Sequence, residues 1–358
     1  DAGRSNPLGT LASEGQATET YDPDGNLDFG QTYYWRIDEV NAAPDNTIFK
    51  GDVWSFTTEP FAYAIENVVA TANGTPDVDA DPENTVNGSG LNADDQHSTV
   101  PSDMWLAAPV DGEPIQIEFA FDRVYKMHEM LLWNYNMQFE LLLGFGIQNA
   151  TVEYSENGVD WTVLGDVELT QATARADYTA STIDLQGVPA QYVRLTVNAG
   201  FGTKAKFGLS EVRFLYIPAH AREPQPSDGT TEMSVDATLI WRAGRDVAMH
   251  EVYLSTDEQA VIDSTALTDT IEAANFAPGN LEFGSTYYWK VNEAQADTSW
   301  EGDLWSFSTQ EYIIVEDFES YDDEENRIYE TWLDGWVNDT GSTVGYFEAP
   351  FAEKTIVN

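Results

Sequence analysis

Apolar and polar residues alternate with a period of two along much of the chain, as in strands with one buried face. In the middle of the chain the alternation places three groups on common faces: Ile115, Ile117, Phe119 and Phe121; Val152 and Tyr154; Val193, Leu195 and Val197. Asn157-Gly158 lies between two such runs and is a strong hairpin signal. The pattern predicts an all-β fold.

A segment rich in aromatic residues occurs twice. Residues 27–39 recur as residues 281–293, and each copy is followed by a Gly-Asp-x-Trp-Ser-Phe sequence, at 51–56 and 302–307. The alternation puts matching residues on one face in both copies: Tyr33, Trp35, Ile37, Trp54 and Phe56 in the first, Tyr287, Trp289, Val291, Trp305 and Phe307 in the second. We expect these residues in hydrophobic cores, and the duplication indicates an array of modules.

The second copy also has an upstream half with two further short strands, at 237–241 and 250–254. With Trp241, Tyr253 and the Leu281-x-x-Gly-x-x-Tyr287 motif, residues 222–310 resemble a fibronectin type III domain. The resemblance implies a sandwich of about 100 residues with a tyrosine corner at Tyr287.

The two ends of the chain match only parts of modules. Residues 1–59 correspond to the C-terminal part of a fibronectin III-like domain, and residues 311–358 resemble the incomplete start of a laminin G or concanavalin-like domain. Neither stretch is long enough to bury a full core. We therefore expect a segment of a larger polypeptide.

Charge and composition narrow the function classes. Sixteen basic against 62 acidic residues give a net charge of −46, which repels phosphate backbones and excludes nucleic acid as a partner; it disfavours anionic glycans in the same way. The chain has no cysteine, and no apolar run reaches the ~20 residues of a membrane span. The acidity is typical of a secreted or cell-surface protein, or of loops that collect calcium.

Four pieces of residues 62–217 carry a second resemblance. They are residues 84–91 leading to Trp105, residues 146–161, residues 192–195 and residues 208–214. In this order they resemble the discoidin, or coagulation factor C-type, domain, a galactose-binding-like jelly roll common among carbohydrate-binding modules. The whole chain is then predicted to be tandem β-sandwiches: a partial fibronectin III-like, a discoidin-like, a complete fibronectin III-like and a partial concanavalin-like module.

The discoidin resemblance implies a structural calcium between the loop before the family's Trp and a Glu on the last strand. Here the Glu is Glu211, and the loop position usually filled by Asp is Asn87, whose amide oxygen can still ligate calcium. Asp94 and Asp95 in the same loop either supply the missing carboxylate or are solvated. Calcium is the one cofactor that we expect.

The resemblance places sugar recognition in loops at one end of the sandwich, where aromatic faces and planar polar groups meet the sugar. Three segments fall there, residues 92–105, 134–139 and 198–207, and they offer five candidate ligand-binding residues: His97, Tyr135, Asn136, Phe201 and Lys204. The structural alternative is that Tyr135 pins its loop and His97 is an ordinary exposed histidine. Trp105 and Trp133 are expected in the core, and the Leu141–Phe145 run is expected to be buried or covered.

No motif for catalysis is present in the sequence: there is no Gly-x-Ser-x-Gly elbow, His-Glu-x-x-His pair or phosphate-binding glycine loop. We expect a non-enzymatic protein that binds a polysaccharide or cell-surface glycan for adhesion. The alternative is a structural spacer or fibre-forming unit, in which incomplete terminal modules self-associate by strand addition from neighbouring chains.

Overall fold

The computed structural model describes residues 11–110, 112–295, 298–322 and 326. Nearly all regular structure in these residues is β, which confirms the predicted fold class. Contacts between Cα atoms divide the chain into two units, one of residues 1–219 with 244–246 and the other of residues 220–243 with 247–358. The finer division into four modules stays a prediction.

The first aromatic segment forms two small antiparallel sheets. Strand β1 pairs with β4, and β2 pairs with β3. Their bounds are β1 Thr32–Trp35, β2 Asp38–Val40, β3 Ile48–Lys50 and β4 Trp54–Thr57.

The prediction that the aromatic residues of this first copy are core residues is wrong. Trp35 is 45% exposed, and Trp54 and Phe56 are exposed as well. Trp35 packs on Trp54 with ring centroids 4.7 Å apart, and the two small sheets of residues 11–59 leave both rings exposed. The expected self-association through this segment stays a prediction.

The middle of the chain forms a ten-stranded sheet system. Its strands are β5 Tyr63–Ala64, β6 Val69–Ala72, β7 Thr75–Pro76, β8 Trp105–Ala108, β9 Gln116–Asn134, β10 Ile147–Ser155, β11 Thr162–Glu168, β12 Ser181–Asp184, β13 Pro189–Gly200 and β14 Phe207–Ile217. Short helices lie at Pro82–Thr85 and Pro101–Asp103 (both 3-10) and at α1, Glu140–Leu143.

The 19-residue strand β9 connects the two halves of this sheet system. Its first part pairs with β6 and β13, and its last part pairs with β12 and β14. The main strand order is β11-β10-β13-β9-β14-β8-β7. One strand therefore contributes to both walls of the sandwich.

The core of this sandwich comes from the faces that the alternation predicts. Ile117, Phe119, Val193 and Leu195 are all buried and belong to one hydrophobic cluster, together with Trp105. Burying one such side chain contributes about 1.5–3 kcal/mol. The predicted hairpin is also present: Gly158, with φ +73°, lies in the turn between β10 and β11.

The second unit contains a three-stranded sheet, β15-β17-β20, and a six-stranded sheet, β16-β23-β21-β18-β19, in which β22 also pairs with β21. The bounds are β15 Arg222–Gln225, β16 Thr230–Met233, β17 Leu239–Arg242, β18 Met249–Ser255, α2 Glu258–Ile262, β19 Leu267–Ile271, β20 Asn275–Phe276, β21 Thr286–Gln295, β22 Thr298–Trp300 and β23 Trp305–Thr309.

In this second copy the aromatic face is buried, as predicted. Trp289, Trp305 and Phe307 form a core cluster with Trp241 of β17. The Tyr287 hydroxyl accepts a hydrogen bond from the backbone N–H of Glu282 at 3.0 Å, the bond expected of a tyrosine corner. The fibronectin III assignment itself stays a prediction.

Past β23, residues 310–322 contain no strand. The expected start of a laminin G or concanavalin-like module, residues 311–358, falls mostly outside the described residues. Among the described helices, none is both long and apolar enough to cross a membrane.

Candidate functional site

Three loops meet at one end of the middle sandwich because one buried amide binds them together. The Nδ2 atom of Asn136, just after β9, donates to the backbone carbonyls of His97 (3.1 Å), Ser98 (3.1 Å) and Arg175 (2.7 Å). The Asn136 backbone N–H also donates to the hydroxyl of Ser210 on β14. The loops around residues 97 and 175 are therefore fixed relative to the end of β9.

A second buried amide extends this framework. Asn134 Nδ2 donates to the carbonyls of Ile147 (2.7 Å) and Thr170 (3.0 Å), and its Oδ1 accepts from the Ile147 N–H at 2.9 Å. Close by, the Glu140 carboxylate accepts from the N–H groups of Phe145 and Gly146. Burial raises the pKa of Glu140, while these hydrogen bonds act in the opposite direction.

The loop before β14 packs against the turn that follows α1. Gly202 N–H donates to the Gly144 carbonyl at 2.8 Å, and Phe201 N–H donates to the Gly146 carbonyl. Gly144 has φ +65°, and a Cβ added there would lie 2.4 Å from the Gly202 nitrogen. Only glycine permits this close approach, which brings the Phe201 loop beside α1.

Three of the five predicted ligand residues do not face a ligand. His97 and Asn136 are fully buried, and Tyr135 is 1% exposed, so the prediction that their side chains bind a glycan is wrong for this structure. The physical reason is that they hold the loops: Asn136 binds three carbonyls, and Tyr135 packs on Phe145 in a T-shaped arrangement. Burial lowers the pKa of His97 and raises that of Tyr135 to about 12.

The other two predicted residues lie at the surface of this loop end. Phe201 is half-buried and Lys204 is exposed. The sequence reasoning did not select Phe139, which is 59% exposed just before α1, or Arg175, which is also exposed. No sequence pattern marks Arg175, because its place beside Asn136 depends on a hydrogen bond across 39 positions.

The large apolar residues that were expected in the core divide into two groups. Trp105 and Trp133 are buried, as predicted. In the Leu141–Phe145 run, however, Leu141 and Leu142 are exposed, while Phe145 is buried. Burial is thus not found for its first two residues, Leu141 and Leu142, and the alternative that they are covered by a neighbouring module stays a prediction.

The predicted calcium site contains a buried carboxylate with an unused oxygen. Glu211 of β14 is 2% exposed; its Oε1 accepts from the Gly88 N–H at 3.2 Å, and its Oε2 has no hydrogen-bond partner. Burial raises the pKa of Glu211 to about 8, against a lowering contribution from Arg213. A hard cation next to Oε2 would supply the missing partner.

Of the other predicted metal ligands, Asn87 lies next to Gly88, and its Oδ1 accepts from the Ser89 N–H at 2.8 Å. This oxygen therefore shapes the loop that reaches Glu211. An amide oxygen has a second lone pair, so the bond leaves Asn87 able to bind a metal. These residues fit a calcium ion at Glu211 and the Asn87 loop.

The two aspartates fit the metal prediction less well. Asp95 forms an ion pair with Arg213 at 2.7 Å, so a protein cation is already its partner. Arg213 also lies 4.0 Å from Glu211 Oε1 and over the ring of Trp133. Asp94 is exposed, and its backbone N–H donates to Asn92. Within the described ranges, no group of three or more His, Asp or Glu residues is placed to hold a metal ion.

Comparison with known proteins gives matches among solved structures alone. No protein-family model matches the chain, and no curated protein matches it. The carbohydrate-binding module CBM32-5 of Clostridium perfringens, in complex with GalNAc-β-1,3-galactose, is 16% identical with a TM-score of 0.34, over 43% of this chain and 99% of the module. CBM32-3 from a family 31 glycoside hydrolase of the same organism is 20% identical with a TM-score of 0.34, over 44% of this chain and 95% of the module.

A family 89 glycoside hydrolase from Clostridium perfringens, in complex with PUGNAc, is 12% identical with a TM-score of 0.30. The match covers 42% of this chain and only 14% of that enzyme. TM-scores below 0.5 do not establish a shared function.

Proposed function

We propose that this chain is a non-catalytic part of a secreted or cell-surface protein, and that residues 62–217 bind a glycan through the loop end described above. The observation that supports this most is a pair of aromatic side chains at this loop end, exposed Phe139 and half-buried Phe201. Phe139 follows the buried Asn136 amide by three residues, and the Phe201 loop is hydrogen-bonded to the backbone of Gly144 and Gly146. An accessible aromatic face beside polar groups is what a sugar ring stacks on.

The framework beneath these side chains favours binding. Asn134 and Asn136 together bind five backbone carbonyls from the surrounding segments, so the loops are ordered before a ligand arrives. A preorganised surface avoids part of the entropy loss that accompanies binding. The ligand surface comprises Phe139, Phe201 and Lys204, while His97, Tyr135 and Asn136 position the loops.

We also propose that calcium binds at Glu211 and the Asn87 loop. The free Oε2 of Glu211 supports this, as does the bond from Gly88 that brings the loop to the carboxylate. The role of the ion is structural: it holds residues 84–91 against β14, next to the loop that carries His97. Exposed Asp94 is left as a solvated residue, and Asp95 remains paired with Arg213.

The glycan proposal is tested by titrating the full chain with neutral and acidic saccharides in isothermal calorimetry, using a panel that includes galactose, GalNAc-β-1,3-galactose and the trisaccharide of galacturonic acid. Stacking on an aromatic ring contributes about 0.5–1.5 kcal/mol. Phe201→Ala is therefore expected to weaken binding about two- to tenfold. Val163→Ala, at an exposed position of β11, is the control and is expected to leave the affinity unchanged.

Two results would contradict the proposal. One is the absence of a heat of binding with every member of the panel. The other is binding that is equal in the wild type, Phe201→Ala and Phe139→Ala. A calorimetric melting curve of each variant shows whether a loss of affinity accompanies unfolding.

A further inference from the structure

The positive charges of the chain are distributed unevenly between paired and free positions. Although acidic residues outnumber basic ones 62 to 16, Arg175 and Lys204 are exposed and make no side-chain hydrogen bond or ion pair within the described residues. Every other described lysine and arginine takes part in an ion pair or another interaction. In so acidic a chain, two free cations require an explanation.

Both free cations lie on the loop end proposed to bind a glycan. The backbone carbonyl of Arg175 is held by Asn136, and Lys204 follows Phe201 by three residues in the loop that packs against α1. The neighbouring Lys206 differs from Lys204, because it is neutralised by Asp77 at 2.6 Å. The fold thus leaves two cations available on loops joined to the same framework.

We propose that the glycan bound by this loop end is anionic, carrying a carboxylate or a sulfate that Arg175 and Lys204 bind. This inference rests on the proposed glycan-binding function and adds the charge of the ligand to it. The guanidinium of Arg175 presents a planar fork of donors that suits either anion, and the ammonium of Lys204 adds a point charge. The aromatic rings of Phe139 and Phe201 remain available for the sugar ring.

The net charge of −46 opposes this ligand class only at long range. At an ionic strength of 0.1 M, exposed charges separated by more than about 10 Å are largely screened from one another. At contact distance, two local cations therefore determine the sign of the interaction. The overall acidity slows the approach of an anionic glycan at low salt and does not abolish its binding.

The test uses two pairs of ligands that differ in charge alone. One pair is the trisaccharide of galacturonic acid and its methyl ester; the other is galactose 6-sulfate and galactose. In calorimetric titrations of the full chain we expect at least one anion to bind about tenfold more tightly than its neutral counterpart, since an exposed ion pair contributes about two- to fivefold. The pair that shows the preference distinguishes a carboxylate from a sulfate.

The variants distinguish a direct contribution of Arg175 and Lys204 to anion binding from the effect of a changed net charge. Arg175→Gln and Lys204→Gln are each expected to weaken anion binding about two- to fivefold and to leave neutral sugars unaffected. Arg123→Gln, which removes the same charge from β9, is expected to change neither. Neutral sugars that bind as tightly as the anions would overturn this inference and leave the proposed function standing. The absence of binding by any glycan, neutral or charged, would overturn the proposed function itself.

Discussion

Replacing Glu211 with glutamine tests the one strongly perturbed carboxyl of the candidate metal site. Burial raises the pKa of this group from its ordinary 4.5 to about 8. Because the folded-state pKa is the higher one, the stability that the protonated carboxyl provides is complete below about pH 4.5 and is lost as the pH rises to 8. At 1.36 kcal/mol per pH unit, the loss between pH 5 and pH 9 is about 4 kcal/mol.

Differential scanning calorimetry measures this loss, because it resolves the separate transitions of a chain with two units. The measured quantity is the melting temperature of the middle domain, residues 62–217, in EDTA. Between pH 5 and pH 9 it is expected to fall by about 8–16 °C more in the wild type than in Glu211→Gln. Calcium binding to the ionised carboxylate is expected to restore the wild-type transition and leave Glu211→Gln unchanged. Glu168→Gln, at an exposed position on β11, is the control variant.

Two observations would refute this reasoning. A wild type and a Glu211→Gln variant with the same pH dependence in EDTA would show that burial does not perturb this carboxyl in solution. An equal calcium-induced rise in both melting temperatures would place any bound calcium away from Glu211.

Two further stability predictions follow from buried residues. Asn136→Ala removes the two N–H donors that three loop carbonyls share and is expected to destabilise the sandwich of residues 62–217 by about 2 kcal/mol. Asn198→Ala, at an exposed position, is expected to cost less than about 1 kcal/mol, and equal losses in calorimetry would contradict this. Trp289→Ala, at a fully buried position, is expected to cost about 3–5 kcal/mol, whereas Trp35→Ala at the equivalent exposed position costs less than about 1 kcal/mol. A loss for Trp35→Ala that grows with protein concentration would instead show that another chain covers this face.

The strands of the sandwiches can be predicted from the sequence because the alternation of apolar and polar residues is a local pattern. A period of two places Ile117 and Phe119 on one face, and both are fully buried. The turn at Asn157-Gly158 also follows from residues within the turn: Asn157 Oδ1 accepts from the N–H groups of Val159 and Asp160, and Gly158 adopts a positive φ. Such features need no knowledge of the rest of the chain.

Local sequence does not predict whether a strand face is buried, as the duplicated segment shows. Trp35 and Trp289 have nearly identical neighbours in sequence, and each packs on a second Trp with ring centroids 4.7 Å apart. The difference lies in distant strands: Trp241 of β17 covers Trp289, while residues 11–59 provide no equivalent of β17. The period of two predicts on which face of a strand a residue lies. Tertiary contacts decide whether that face packs in a hydrophobic core.

The same distinction explains the result for the candidate site. Amide and imidazole side chains in loops have the chemistry to bind a sugar hydroxyl, and the same chemistry binds a backbone carbonyl. The sequence favours Asn136 and His97 for that chemistry, whereas in the structure the Nδ2 group of Asn136 is taken up by three carbonyls. Because a buried carbonyl left without a donor is costly, the loop carbonyls compete with any ligand for these groups. A substitution at Asn136 is therefore expected to weaken the proposed glycan binding by loosening the loop that carries Arg175, although Asn136 itself does not contact the glycan.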